Sequence, residues 1–217
     1  MKKVLIFAVI VFAVVACQDK KTTSKGAANP AATSQTDPNA AEVTYEITTG
    51  QINWIGKKAV GSQHIGTLDV KSGRVLTKGN DVMGGEFVLD MSSIANTDLE
   101  GEKQAQLEGH LNSPDFFDVE NHPEATFTIT GGTQVSDEPS VTHEISGELS
   151  IKGITNAVKM PANISFVGDR MLVATPSFSI DRTKWDIKYG SGVIGTVADK
   201  VINDDIYLVA TMDGQSK

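Results

Sequence analysis

The stretch LEGHLNSPDFFDVENHPEATF, residues 107–127, decides how the chain is organised. A helical pattern runs into it and stops at Ser113-Pro114, because a proline ring disfavours helix for the residue before it. A loop carrying Phe116 and Phe117 follows. Ala125, Phe127 and Ile129 then alternate with Thr126, Thr128 and Thr130. This period of two, with β-branched threonines on the second face, predicts a strand buried on one side. The segment is a helical interruption between two runs of strands.

Upstream, Val43, Tyr45 and Ile47 alternate, Thr49-Gly50 punctuates, and a second segment carries Ile52 and Trp54. Leu68 and Val70 precede Ser72-Gly73, which reads as a turn before Val75-Leu76. Over residues 86–91, Phe87, Leu89 and Met91 share one face, and Glu86, Val88 and Asp90 the other. Thr97-x-x-Glu100 matches a capping box. Leu99, Gln104, Leu107 and Leu111 form a thin apolar stripe weakened by Gly101 and Gly109, which predicts a short helix outside a sheet or across a barrel end.

Downstream, Gly131-Gly132 reads as a turn, and Ile145, Leu149 and Ile151 share a face with Gly147. Met160, Ala162, Ile164 and Phe166 continue beyond Lys152-Gly153. Gly168-Asp169 is a hairpin signal. Leu172, Ala174, Phe178 and Ile180 follow, with Pro176 marking an edge or a bulge. Ile206, Leu208, Ala210 and Met212 form the face of the last strand. Eight or nine strands, one helix and no βαβ rhythm predict an all-β antiparallel sandwich or barrel. Periodicity alone leaves those two open.

The N-terminus reads as a targeting signal. Lys2 and Lys3 precede an uncharged apolar run over residues 4–15, shorter than the roughly 20 residues of a membrane-spanning helix. Val14-Val15-Ala16-Cys17 looks like a bacterial lipobox, and Cys17 is the only cysteine of the chain. Residues 1–16 are therefore expected to be a lipoprotein signal peptide, with Cys17 lipidated. Residues 18–42 hold no large hydrophobic side chain, so residues 17–42 read as anchor and disordered tether, and residues 43–217 as one barrel or sandwich domain. Gln18 after the cysteine favours the outer membrane over the inner. The expected location is the cell envelope, lipid-anchored and facing periplasm or surface.

The formal charge is −8, and loss of Lys2 and Lys3 takes it to −10. Such acidity disfavours nucleic acid, whose binding needs clustered Lys and Arg. The chain carries no nucleophile elbow, no His-Glu-x-x-His and no phosphate loop. His64, His110, His122 and His143 lack metal-ligand spacing, and Asn203-Asp204-Asp205 reads as a solvated turn rather than a calcium loop. No catalytic set, metal or cofactor is expected; were there an enzyme, only His64 and His110 would be candidates. Residues 182–190, RTKWDIKYG, gather three cations and two large aromatics. Either Arg182 and Lys184 meet a polar headgroup at a pocket mouth walled by Trp185 and Tyr189, or the aromatics plug the core while the cations stay in water.

Three blocks together resemble the YceI-like family of exported lipid-binding proteins, over about residues 43–212. They are His64-Ile65-Gly66-Thr67-Leu68 with Ser72-Gly73; Val88-Leu89-Asp90-Met91-Ser92-Ser93-Ile94 with Asp98, running through Leu111, Ser113, Asp115-Phe116-Phe117-Asp118 and Pro123-x-Ala125-Thr126-Phe127; and Ile145-x-Gly147-x-Leu149-x-Ile151-x-Gly153-Ile154-Thr155 with Val158. His122 departs from the aromatic that more often precedes this proline. The resemblance implies a lipocalin-like antiparallel β-barrel of about eight strands, with an apolar tunnel for a polyisoprenoid, an isoprenoid quinone or a fatty-acid-like chain. Eight strands independently suit one small enclosed ligand. The expected lining is Phe87, Leu89, Phe127, Ile129, Phe166 and Phe178, with Trp54, Trp185, Tyr189 and Arg182 nearer an opening. Phe116 and Phe117 are expected to cover one barrel end. A homodimer is an expectation resting on the resemblance alone. Two other readings stay open: a structural or stress-related surface lipoprotein with a solid core, and an enzyme acting on a lipid.

Overall fold

The computed structural model describes residues 39–136, 140–192 and 201–217. The expected signal peptide, Cys17 and the tether up to residue 38 lie outside them. The described elements are β1 (Glu42–Lys58), β2 (Gln63–Lys78), β3 (Asp81–Asn96), α1 (Gly101–Asn112), β4 (Glu124–Gln134), β5 (His143–Ile151), β6 (Ile154–Val167), β7 (Arg170–Ala174), β8 (Phe178–Asp181), a 3-10 turn (Arg182–Trp185) and β9 (Ile202–Ser216).

β1 to β7 pair in chain order, each antiparallel to the one before. β9 pairs back onto β1, from Tyr45↔Ser216 to Lys58↔Ile202, and so closes the sheet. On its other side β9 holds β7 through Ala174↔Thr211 and β8 through Phe178↔Leu208. These two short strands are the halves of one strand interrupted around Pro176, which has no N–H to give a ladder. Thr175 bridges the break: its N–H donates to the Ala210 carbonyl, and its hydroxyl accepts from the Ala210 N–H at 2.8 Å. The described residues form a closed, eight-stranded antiparallel barrel with one α-helix.

Three glycine signals that read as punctuation do not turn the chain. Thr49-Gly50, Ser72-Gly73 and Gly131-Gly132 lie inside β1, β2 and β4, where pairing registers shift. Closing a barrel demands strongly coiled strands, and bulges supply the coil. The glycines also make room. At Gly73 an added Cβ would stand 2.4 Å from Phe87 Cδ1, and at Gly147 2.5 Å from Phe127 Cζ and 2.6 Å from the Thr128 carbonyl. Gly147→Ala is expected to cost about 1–3 kcal/mol through overpacking, visible as a calorimetric Tm lowered by about 2–4 °C per kcal/mol. An unchanged Tm would contradict the close approach.

The helix entry also differs from the expected capping box. α1 starts at Gly101 with φ +61°, and Glu100 stands at the N-cap without a side-chain hydrogen bond. Asn96, 2 % exposed, does the tying instead. Its amide donates to the Ile65 carbonyl and to Asp98, its side-chain oxygen accepts from Leu99 N–H, and its own N–H donates to Glu108. Partial burial opposes ionisation of Asp98, but donors from Ile65, His64 and Asn96 outweigh it and hold its pKa below the usual carboxylate range. The Asn96 N–H and Gln104 lower that of Glu108 in the same way. A folded-state pKa below the unfolded value stabilises at pH above about 4 and is lost as pH falls through the folded value. The protection factors of α1 amides against hydrogen exchange are therefore expected to fall below about pH 4, and Asp98→Asn to flatten that dependence.

The topology gives the barrel two unlike ends. The β1–β2 and β5–β6 connections, α1, the 113–123 loop and the 3-10 turn gather at one, here called the helix end. The β2–β3, β4–β5 and β6–β7 connections gather at the other, the hairpin end. The hairpin half is filled by Tyr45, Val75, Val82, Phe87, Phe127, Ile129, Ile145, Met171 and Met212, all buried.

Candidate functional site

The helix half is hollow. Ile52, Leu68, Leu89, Ala125 and Leu149, one from each of β1 to β5, form the lowest ring of a cavity of about 400 Å³. Leu107 and Leu111 of α1, then Phe116 and Phe117, roof it, while Trp185 and Ile187 close one side. The helical stripe thus faces the cavity, and the Pro114 stop delivers two aromatics onto its top.

Trp54 and Trp185 present apolar faces because their polar handles are already used. Trp54 Nε1 donates to the Thr67 carbonyl at 3.2 Å, and its ring lies on Gly66, where a Cβ would meet Cζ2 at 2.3 Å. Trp185, 1 % exposed, donates from Nε1 to the Leu149 carbonyl at 2.9 Å. A satisfied indole N–H costs nothing on burial and leaves the ring as wall. Over the roof, His110 stacks edge-on with Phe116 at 5.0 Å and with Tyr189 at 4.4 Å. This aromatic contact joins α1, the 113–123 loop and the segment after the 3-10 turn.

Arg182 also reaches the cavity wall, but four of its five N–H donors are already engaged. Its Nη1 donates to the Ile187 carbonyl at 2.7 Å, Nη2 to the Ile202 carbonyl at 3.1 Å and Nε to the Asn203 carbonyl at 3.2 Å, with Asp204 at 3.4 Å. Burial pulls its pKa down, with Asp204 and Asp181 opposing. Lys184 is exposed, and Lys188 pairs with Asp186 at 2.6 Å. Of the two readings of residues 182–190, the geometry combines parts: Trp185 is plug and wall together, and Arg182 staples backbone carbonyls.

Trp54, Leu89, Phe116, Phe117, Arg182, Trp185 and Tyr189 are thus brought together at the cavity. Phe87, Phe127, Ile129, Phe166 and Phe178 are not, which corrects the expected lining. Alternation tells which side of a strand faces inward, not how far along the barrel axis a residue lies. Phe87 and Phe127 sit two residues below Leu89 and Ala125, Ile129 two lower still, and Phe166 packs against Tyr45 at 5.5 Å. Phe178 is half-buried on β8 beside Leu208. Reading by period also missed Lys57, Lys58 and Ser62, which form a polar rim with His64 and Asn203. Nothing in their local pattern marks them; the closure of β1 onto β9 puts them there.

His64 and His110 both line the cavity, each beside an acid: His64 Nδ1 lies 2.9 Å from Asp98, and His110 Nε2 3.4 Å from Asp115. Among the described residues no hydroxyl hydrogen-bonds to either ring, and no cluster of three acids, histidines or cysteines is arranged to hold a metal ion.

The YceI-like domain model matches residues 33–212. Protein YceI of Escherichia coli O157:H7 is 34% identical over 74 residues, 34% of this chain and 37% of its own length. The UPF0312 protein ECA1782 of Pectobacterium atrosepticum is 35% identical over 74 residues, 34% and 36% of the two chains. The chain thus spans about a third of the length of the curated relatives it matches. Among solved structures, a polyisoprenoid binding domain from Saccharophagus degradans superposes with a TM-score of 0.58 at 15% identity, over 80% of this chain and 98% of that one. BcnA of Burkholderia cenocepacia gives 0.52 at 14% identity, over 76% and 95%. At these identities the two structures establish the shared barrel fold. With the match running from before β1 into the final strand, the chain belongs to the YceI-like family.

Proposed function

We propose that this protein binds and carries a hydrophobic chain in the cavity at the helix end, without catalysis. The observation that carries the reading is the cavity itself: about 400 Å³, walled by aliphatic and aromatic side chains, in a barrel whose other half is filled by buried side chains. The polyisoprenoid binding domain of Saccharophagus degradans shares the fold, which supports an isoprenoid, a quinone or a fatty-acid-like chain as the occupant. A chain hiding about 400 Å² of apolar surface gains roughly 10 kcal/mol gross. Association costs of roughly 4–15 kcal/mol bring that down to micromolar-to-nanomolar binding.

Trp54 and Trp185 are the only tryptophans of the chain, and both line the cavity. Titration with an apolar chain is therefore expected to shift their emission saturably. Organic extraction of protein purified from its native host, followed by mass spectrometry, identifies the occupant; reproducibly empty protein would sink the reading. Function retained by the double variant His64→Gln, His110→Gln would dispose of the enzyme alternative.

The sequence supports an envelope placement through Cys17, with Gln18 favouring the outer membrane. Two or more acyl chains hold a protein permanently, so detergent is expected to release it from membranes and high salt is not.

A further inference from the structure

The barrel is hollow over only part of its height, and two phenylalanines form the boundary. Phe87 and Phe127 lie one layer below Leu89 and Ala125, on the same inward side. They pair directly across β3 and β4. Each ring covers a glycine of the adjoining strand, Gly73 under Phe87 and Gly147 under Phe127, with the close approaches given above. They are 4% and 6% exposed, and neither lines the cavity. Below them Ile129, Ile145 and Val82 continue a close-packed interior, so the cavity ends at these two rings.

We infer that Phe87 and Phe127 are a floor that sets the length of the bound chain, and that this barrel takes a hydrocarbon of about C15 to C20 rather than a C40 polyisoprenoid. The inference rests on the reading that the cavity holds an apolar chain, and adds which chains it admits. The lining follows β1 from Ile52 to Lys58, about 20 Å of strand at roughly 3.3 Å per residue, and an extended hydrocarbon advances about 1.25 Å per carbon, so about 16 main-chain carbons, those of a C20 prenyl alcohol, span it. A longer chain has to leave its remainder outside the rim. When the chain is drawn from a bilayer, that remainder exchanges lipid for water, which opposes uptake in proportion to the area exposed.

The test uses the full-length protein and phosphatidylcholine vesicles carrying a C15, C20 or C40 all-trans prenyl alcohol, with Trp54 and Trp185 emission reporting uptake. The C15 and C20 alcohols are expected to load, and the C40 alcohol about 100-fold less, because roughly half its chain stays exposed. Phe127→Ala removes part of the floor and is expected to raise C40 uptake relative to C15 by about tenfold or more. Phe127→Leu keeps an apolar core and shifts the ratio the same way by less, so the test survives if the alanine variant fails to fold. Ala125→Leu raises the floor and is expected to lower C20 uptake relative to C15. Equal loading of C40 and C20 by the native protein, or a ratio unmoved in the folded floor variants, would overturn the length limit and leave chain binding standing. No emission response to any of the three alcohols would overturn the binding reading itself, and the limit with it.

Discussion

Arg182→Ala is expected to unfold at a temperature lower by roughly 10 °C or more, a loss of about 3–5 kcal/mol. The native guanidinium is 1 % exposed and donates to the carbonyls of Ile187, Ile202 and Asn203. Its removal leaves those acceptors without their donor, and Asp204 without its cation. A buried polar group left unpaired costs about 1–3 kcal/mol, and the three acceptors lie in two segments otherwise joined by the Ile202 N–H donating to the Gly190 carbonyl at 2.8 Å. Arg182→Lys keeps the charge but cannot reproduce a planar fork reaching three carbonyls, so it is expected to recover less than half of the loss. Chemical denaturation and calorimetry decide the matter. Wild-type-like stability of the alanine variant would show that the staple is dispensable. The lesion is also expected to loosen Trp185 and Ile187, which the staple holds against the cavity.

The second large effect separates the hollow half from the solid one. Leu89→Glu is expected to fold and to lose chain binding by about 100-fold or more, whereas Phe87→Glu is expected not to fold. The two positions lie two residues apart on the same face of β3, so sequence pattern treats them alike. At Leu89 the introduced carboxylate faces a cavity with a polar rim, where water can solvate it; an apolar chain then has to displace that water and bury a charge. At Phe87 it would be sealed among Phe127, Gly73 and the packed hairpin half, without a partner. That penalty rivals the whole stability of a domain, about 5–15 kcal/mol. Burial raises a carboxyl pKa, so binding by the Leu89→Glu variant is expected to recover as pH falls through that raised value. Circular dichroism reads folding and tryptophan titration reads binding. Equal tolerance at both positions would mean that the two halves are packed alike.

Much of the fold is legible in local pattern. Phe87, Leu89 and Met91 alternate with Glu86, Val88 and Asp90 and do face inward, and Ser113-Pro114 does end the helix. The glycines misled because a glycine in a strand and a glycine in a turn share the same local signal. Gly73 is kept from being a turn by Phe87, fourteen residues on, whose ring needs the space. The capping box failed for a similar reason: Asn96 is recruited by Ile65, a residue on another strand, and so takes over the helix entry.

By itself the sequence determined the all-β class, the short helix, the inward face of most strands and the family blocks, since these follow from period, breakers and short motifs; on β7 it is Met171 and Val173 that pack against the core, not Leu172 and Ala174. Closure of the sheet was decided only in three dimensions, by pairs such as Ile52↔Ala210 that lie far apart in the chain. So was height along the axis, which depends on the stagger between strands rather than on any one of them. That stagger puts Leu89 at a cavity and Phe87 beneath its floor. It also carries Phe116 and Phe117, from the stretch at residues 107–127, over the mouth as part of the cavity's own wall.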